Sequence, residues 1–167
     1  NFSVPFLSYK FSVMKKYFAI ITLVFLLISC DKKSKVEKAV EEIPVALKVN
    51  RFDQAFFEAS PKDLPNLKAE YPFFFPEGFD DKVWIEKMQN KDWKDLYAEV
   101  QKKYPDFGKQ TSEIEDLFKH LKYYFPETVL PRVYTVIGEM DYNSKAIYAN
   151  DKLIIALELY LGKDVKF

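Results

Sequence analysis

The stretch that decides the fold is "PRVYTVIGEM DYNSK AIYAN DKLIIALELYLG", Pro131–Gly162. Its first ten residues are rich in β-branched side chains and alternate in polarity, which predicts a strand. Asp141–Lys145 carries turn chemistry, and "AIYAN" (Ala146–Asn150) reads as a short second strand. "KLIIALELYLG" is a continuous apolar run that fits either a buried strand or a short helix ending at Gly162. Because β-rich segments come just before it, a strand over Leu153–Leu157 is preferred.

Upstream, the pattern is helical. "RFDQAFFEAS" places Phe52, Phe56 and Ala59 on one helical face. Ser60-Pro61-Lys62-Asp63 is a helix start, with Ser as cap, Pro at the first position and an acid at the third. The helix it opens carries Leu64, Leu67 and Tyr71 and stops at Pro72. "YPFFFPEGF" (Tyr71–Phe79) reads as an aromatic loop plugging the end of a core. Asp80 or Asp81 caps "KVWIEKMQ". "DWKDLYAEVQKKYP" aligns Trp93, Leu96, Tyr97, Val100 and Tyr104. Ser112-Glu113-Ile114-Glu115 reads as a capping box opening a helix with Ile114, Leu117, Phe118, Leu121 and Phe125 in one stripe. "VALKV" (Val45–Val49) has strand character and is the candidate first strand. Helices first and a small sheet after make the class α+β.

The 167 residues are 49% apolar, 30% charged and 17% aromatic, with zero net charge. That composition suits one globular domain and offers no basic footprint for nucleic acid. Four glycines argue against a Gly-rich phosphate loop. Cys30 is the single cysteine, which excludes an internal disulfide and Cys-based zinc sites.

Cys30 sits at the seam of "LVFLLISCDKKSK" (Leu23–Lys35). The apolar run Phe18–Ile28 is too short to span a bilayer, which takes roughly 20 apolar residues. Behind Lys15 and Lys16 it has the form of a signal-peptide core. Leu27-Ile28-Ser29-Cys30 resembles a bacterial lipobox, with Leu27 and Ser29 preceding the cleavage point and Cys30 as the acylated residue. Only a thiol can take up diacylglycerol as a thioether, and two or more acyl chains are needed for stable anchoring. The expected organisation is an upstream extension over residues 1–13, a lipoprotein signal peptide over 14–29 and a charged solvated tether over 30–44. A domain over 45–167 follows, expected to be C-terminally incomplete because its last strand is so apolar.

Several segments in order resemble the gliding-motility lipoproteins of the GldB type from the Bacteroidetes: Arg51–Ala59, Leu67–Trp84, Leu96–Phe107, His120–Thr128 and Leu153–Asp164. The resemblance implies a palmitoylated lipoprotein of the cell envelope, needed for surface gliding and its associated secretion machinery. Its implied partners are the membrane and other gliding or secretion lipoproteins. The domain would face the periplasm from either bacterial membrane. This family is in turn distantly similar to predicted zincin-like metallopeptidases, which implies a truncated zincin-like domain. No segment here matches their His-Glu-x-x-His helix, so no catalytic residue, metal ligand or cofactor is assigned. The expected role is non-catalytic. The alternative is a membrane-tethered zinc-peptidase-like hydrolase whose catalytic helix lies beyond Phe167.

Three residues are candidates for partner contact: Arg51, Asp53 and Glu158. Arg51 and Asp53 could form an exposed recognition pair, although an arginine bonded to an acid elsewhere and anchoring the first helix is preferred. Glu158 could fix a turn or touch a partner. His120, the only histidine, has Asp116 and Tyr124 at i−4 and i+4 rather than a second histidine. It is expected to be half-buried and bonded to a neighbour.

Overall fold

The computed structural model describes residues 33–163 and 165. The signal peptide, the lipobox and Cys30 lie outside the described residues. The chain divides into two units, residues 1–42 and 43–167. Within the described part of the first, helix α1 (Lys35–Glu41) occupies what the composition marks as a solvated tether. Ser34 forms a capping box with Glu37: the Ser34 hydroxyl accepts from the Glu37 amide, and the Glu37 carboxylate accepts from the Ser34 amide. Lys33, ahead of the cap, pairs with Glu41 at the end of the helix.

The second unit is a mixed sheet with helices packed on it. Its elements are β1 (Val49–Arg51), α2 (Phe52–Phe57), α3 (Leu64–Glu70), α4 (Asp81–Gln89), α5 (Lys91–Lys103), α6 (Gly108–Tyr124), β2 (Arg132–Val136), β3 (Ala146–Ala149) and β4 (Lys152–Ala156). The strand order is β1-β2-β4-β3. β1, β2 and β4 run parallel, and β3 folds back antiparallel to β4. The α+β class therefore holds, but the sheet is not purely C-terminal. Its first strand comes from the N-terminal segment.

That strand is Val49–Arg51, so the expectation of a strand over Val45–Val49 shifts downstream. Val49 faces Val133 and Arg51 faces Thr135 in the ladder. Ahead of it, the Leu47 amide is drawn off by the Glu115 carboxylate at 3.1 Å. Both readings of "KLIIALELYLG" are partly right. Lys152–Ala156 is strand, and Leu157–Tyr160 then tightens into a 3₁₀ turn. β4 is flanked on both edges, by β2 and by β3. The β3–β4 connection is a two-residue turn in which Asn150 and Asp151 both hold positive φ, 48° and 57°. Two such residues match the right-handed twist of a hairpin, and Asn and Asp tolerate them best after Gly.

Helix starts follow local chemistry. The expected start at Ser60 holds: Ser60 and Asp63 form a capping box, which opens a 3₁₀ turn leading into α3. Asp80 caps α4, and Asn90 caps α5 through two backbone amides. α6 begins at Gly108, four residues before the expected box. Ser112 does not cap it; its hydroxyl donates back to the Gly108 carbonyl. Phe107, in the left-handed region at φ 55°, turns the chain, and the Asp106 side chain takes the Gly108 amide.

The core gathers Phe56, Phe57, Leu64, Leu67, Phe75, Met88, Leu96, Val100, Tyr104, Phe107, Ile137, Leu157 and Leu161. Aromatics dominate it, with Phe52 at 4.1 Å from Phe74 and Trp84 edge-on to Phe75 at 5.1 Å. The plug expected from Tyr71–Phe79 is real for Phe75, while Phe79 stays exposed. The α6 stripe departs most from expectation: only Phe118 is buried, and Leu117 and Phe125 are about three-fifths exposed, at 59% and 61%. No helix is long and apolar enough among the described residues to cross a membrane.

Candidate functional site

Parallel pairing sends the C-terminal ends of β1, β2 and β4 to one rim of the sheet. The chain leaves each strand there with a polar group. Asp53 comes after β1, Gly138 after β2 and Glu158 after β4. In open sheets with parallel strands this rim is where ligands gather.

Asp53 is the hub of one half. It is 1% exposed. The Arg51 guanidinium donates to it through Nε at 2.9 Å and through a terminal nitrogen at 2.7 Å. The Gln101 amide donates at 3.0 Å, and the Thr135 hydroxyl at 2.5 Å. Arg51 also donates to the Tyr104 carbonyl at 3.0 Å. The Gln101 carbonyl accepts from Gln54 at 2.7 Å. One carboxylate thus ties together β1, β2, α2 and α5. Arg51 reaches Asp53 itself rather than an acid elsewhere, and the pair is internal rather than exposed. Four donors saturate the lone pairs of Asp53, which leaves none aimed at a ligand.

Glu158 forms the other half. One of its oxygens accepts from the Gly138 amide at 3.0 Å. The other is buried without a hydrogen-bond partner. Burial pushes the Glu158 carboxyl above the ordinary range, opposed by backbone amides of Glu158, Gly138 and Met140 and by the charge of Lys87. Gly138 keeps this approach close: a Cβ on it would stand 3.1 Å from the Glu158 oxygen, a tight contact that the carboxylate would have to ease by a few tenths of an ångström. Lys87 lies over the Trp93 ring at 4.0 Å and 3.5 Å from Glu139. Burial pulls its ammonium below the usual lysine range. Of the two roles foreseen for Glu158, the geometry is that of fixing a turn.

Between the halves lies a cavity of about 30 Å³ lined by Asp53, Lys87 and the rings of Phe52, Phe56, Phe57 and Trp84, with Ile137. It has room for about two waters. A larger, open groove of about 500 Å³ runs between α6 and the β3–β4 hairpin, lined by Ile114, Leu117, Ala146, Leu153, Ile155 and Leu157 among others. No site was placed there from the sequence; the apolar stripe of α6, which leaves Leu117 exposed, is the signal that could have found it.

His120 is half-buried, with its ring nitrogen 2.9 Å from the Asp116 carbonyl, as expected. Among the described residues no cluster of three or more His, Cys, Asp or Glu side chains could hold a metal ion.

A family model described as gliding motility protein GldB matches residues 33–167. No curated protein and no solved structure matches the chain.

Proposed function

The chain belongs to the family of gliding motility protein GldB, and on that premise we propose that it is a lipid-anchored, non-catalytic component of the gliding apparatus and its associated secretion machinery. The family places it in gliding motility and among membrane-associated envelope lipoproteins. The observation that carries the finer reading is the seam at Cys30. A basic pair, an apolar run of signal-core length, Leu27, Ser29 and then the one thiol stand in the order that lipoprotein processing requires. Cleavage before Cys30 frees an amine for a further acyl chain, and the anchored domain faces the periplasm.

The non-catalytic reading draws support from how the rim acids are used. Asp53 spends its acceptor capacity on Arg51, Gln101 and Thr135, and Glu158 closes the Gly138 turn. Both act as internal ties between strand ends, which suits a scaffold that holds its shape under load.

The test is Cys30→Ser. In cells fed a labelled fatty acid, the parent takes up label and the variant does not. In a gliding strain lacking its own copy, the variant fails to restore movement over agar. A Ser variant that keeps the label overturns the lipobox reading. A variant that is unlabelled but restores gliding overturns the anchored role.

A further inference from the structure

We propose that the free edge of β3 pairs antiparallel with the β3 edge of a second copy of this chain, about a two-fold axis through Ile147.

β3 is an end strand of the sheet, and all four of its residues are exposed. The phase of its ladder fixes which backbone groups point outward. The Ala156 amide donates to the Lys145 carbonyl at 3.0 Å, and the register sets Ala146 against Ile155. Lys145 and Ala156 are therefore a hydrogen-bonded pair, and such pairs alternate along an antiparallel ladder. Ile147 with Ile154 and Ala149 with Lys152 follow. The two-residue turn through Asn150 and Asp151 independently requires that Ala149 and Lys152 bond to each other. Ala146 and Tyr148 must then aim their N–H and C=O groups away from β4. Those groups meet no partner among the described residues.

An edge like this is usually blunted by charge, proline or a bulge. "AIYA" has none of these. Its outward groups can be satisfied by an extended backbone, and the pattern of side chains says whose. In a self-pairing centred on Ile147, Ala146 of one copy exchanges hydrogen bonds with Tyr148 of the other, and the reverse, giving four bonds. Ile147 meets its own copy in the close, non-hydrogen-bonded pair, about 4.5 Å between Cα atoms. The largest exposed ring of the strand, Tyr148 at 63% exposure, falls opposite the smallest side chain, Ala146.

Ala146 also lines the apolar groove beside Leu153 and Ile155. A direct cross-strand pair shares one face of the sheet, so the ring brought in by the second copy lies on the groove side of Ala146. Charge agrees with the direction. Parallel pairing would set Lys145 of one copy beside Lys145 of the other, whereas in the antiparallel register Lys145 stands opposite the uncharged Ala149. A four-residue edge buries less than the roughly 800 Å² per partner of a standard interface. The dimer is accordingly weak and concentration-dependent.

Sedimentation equilibrium of the protein in detergent, across a hundredfold range of concentration, reads this directly. The expected result is a reversible monomer–dimer equilibrium. Ile147→Glu and Ile147→Lys each place like charges opposite each other at the axis and shift the equilibrium to monomer by tenfold or more. Mixing the two variants restores the dimer, because opposite charges now face each other. The mixture also shows that neither variant has simply lost its fold. A parent that stays monomeric at every concentration overturns the proposal. So does a dimer that survives both substitutions, since it forms elsewhere, or a mixture that stays monomeric. An edge reserved for an extended segment of another protein would give that last pattern in the parent as well.

Discussion

Replacing Asp53 by Asn tests whether the carboxylate is the tie that joins the N-terminal segment to the sheet. The two side chains have nearly the same shape, so packing is preserved. All four hydrogen bonds to Asp53 come from donors: two from Arg51, one from Gln101 and one from Thr135. An amide has one accepting atom and one donating atom. Wherever its nitrogen sits, it faces at least one N–H or O–H head-on. With the nitrogen in the place of Oδ2, it meets both Arg51 and Gln101. Turning the Gln101 amide to accept would break its bond from Gln54 at 2.7 Å. Arg51, with a side chain only 13% exposed, is meanwhile left as a charge without its counter-ion. Removing one partner of a buried ion pair costs about 3–5 kcal/mol. For a domain of this size that is a fall in Tm on the order of 10–20 °C. Urea unfolding followed by far-UV circular dichroism reads the free energy, and a heating scan reads the Tm. A loss under about 0.5 kcal/mol, the size of a surface change, would refute the hub.

Glu158→Gln addresses pH. The folded carboxyl is held above its ordinary 4.5, so the folded state binds the proton more tightly than the unfolded state. Its contribution is complete below that value and fades as pH rises through the folded pKa, giving stability a negative slope there. The Gln variant should lose that slope in unfolding titrations; an unchanged pH profile rules the group out. Leu96→Ala, at a buried core position, should cost about 2–5 kcal/mol. Leu117→Ala, on the same kind of apolar stripe but exposed, should stay within about 0.5 kcal/mol in the same assay. Equal losses at both sites would show that the groove beside α6 is closed in solution.

Legibility in the sequence followed the range of the interaction. Ser60, Asp80 and the turn at Asp141–Lys145 act within three or four residues, and they were readable as written. The faces of α5 were readable because one helix repeats its own period. What escaped were features set across long separations. Strand β1 is three residues long and exists because Val133–Thr135 offers it a ladder. Its position could not be taken from "VALKV" alone. The α6 stripe looked like a core face, but an open groove lies between it and the β3–β4 hairpin and Leu117 stays exposed. For Arg51 an acid elsewhere was expected from the sequence, whereas its partner is Asp53, two residues on. That Thr135 and Gln101 complete their shell depends on residues some fifty to eighty positions away.

The parallel pairing of β1 with β2 has a consequence in time. The two strands are joined by a chain of about eighty residues, and Asp53 meets Thr135 across a separation of 82. Ribosomes add roughly 5–20 residues per second, so β1 waits on the order of 4–16 s for its neighbour to be made. During that interval the segment from Val49 to Tyr124 can form helices, because those contacts are local, but it cannot close the sheet. β1 has no ladder and Asp53 lacks its Thr135 donor. The strand that is synthesised first is locked only once residue 135 has followed it.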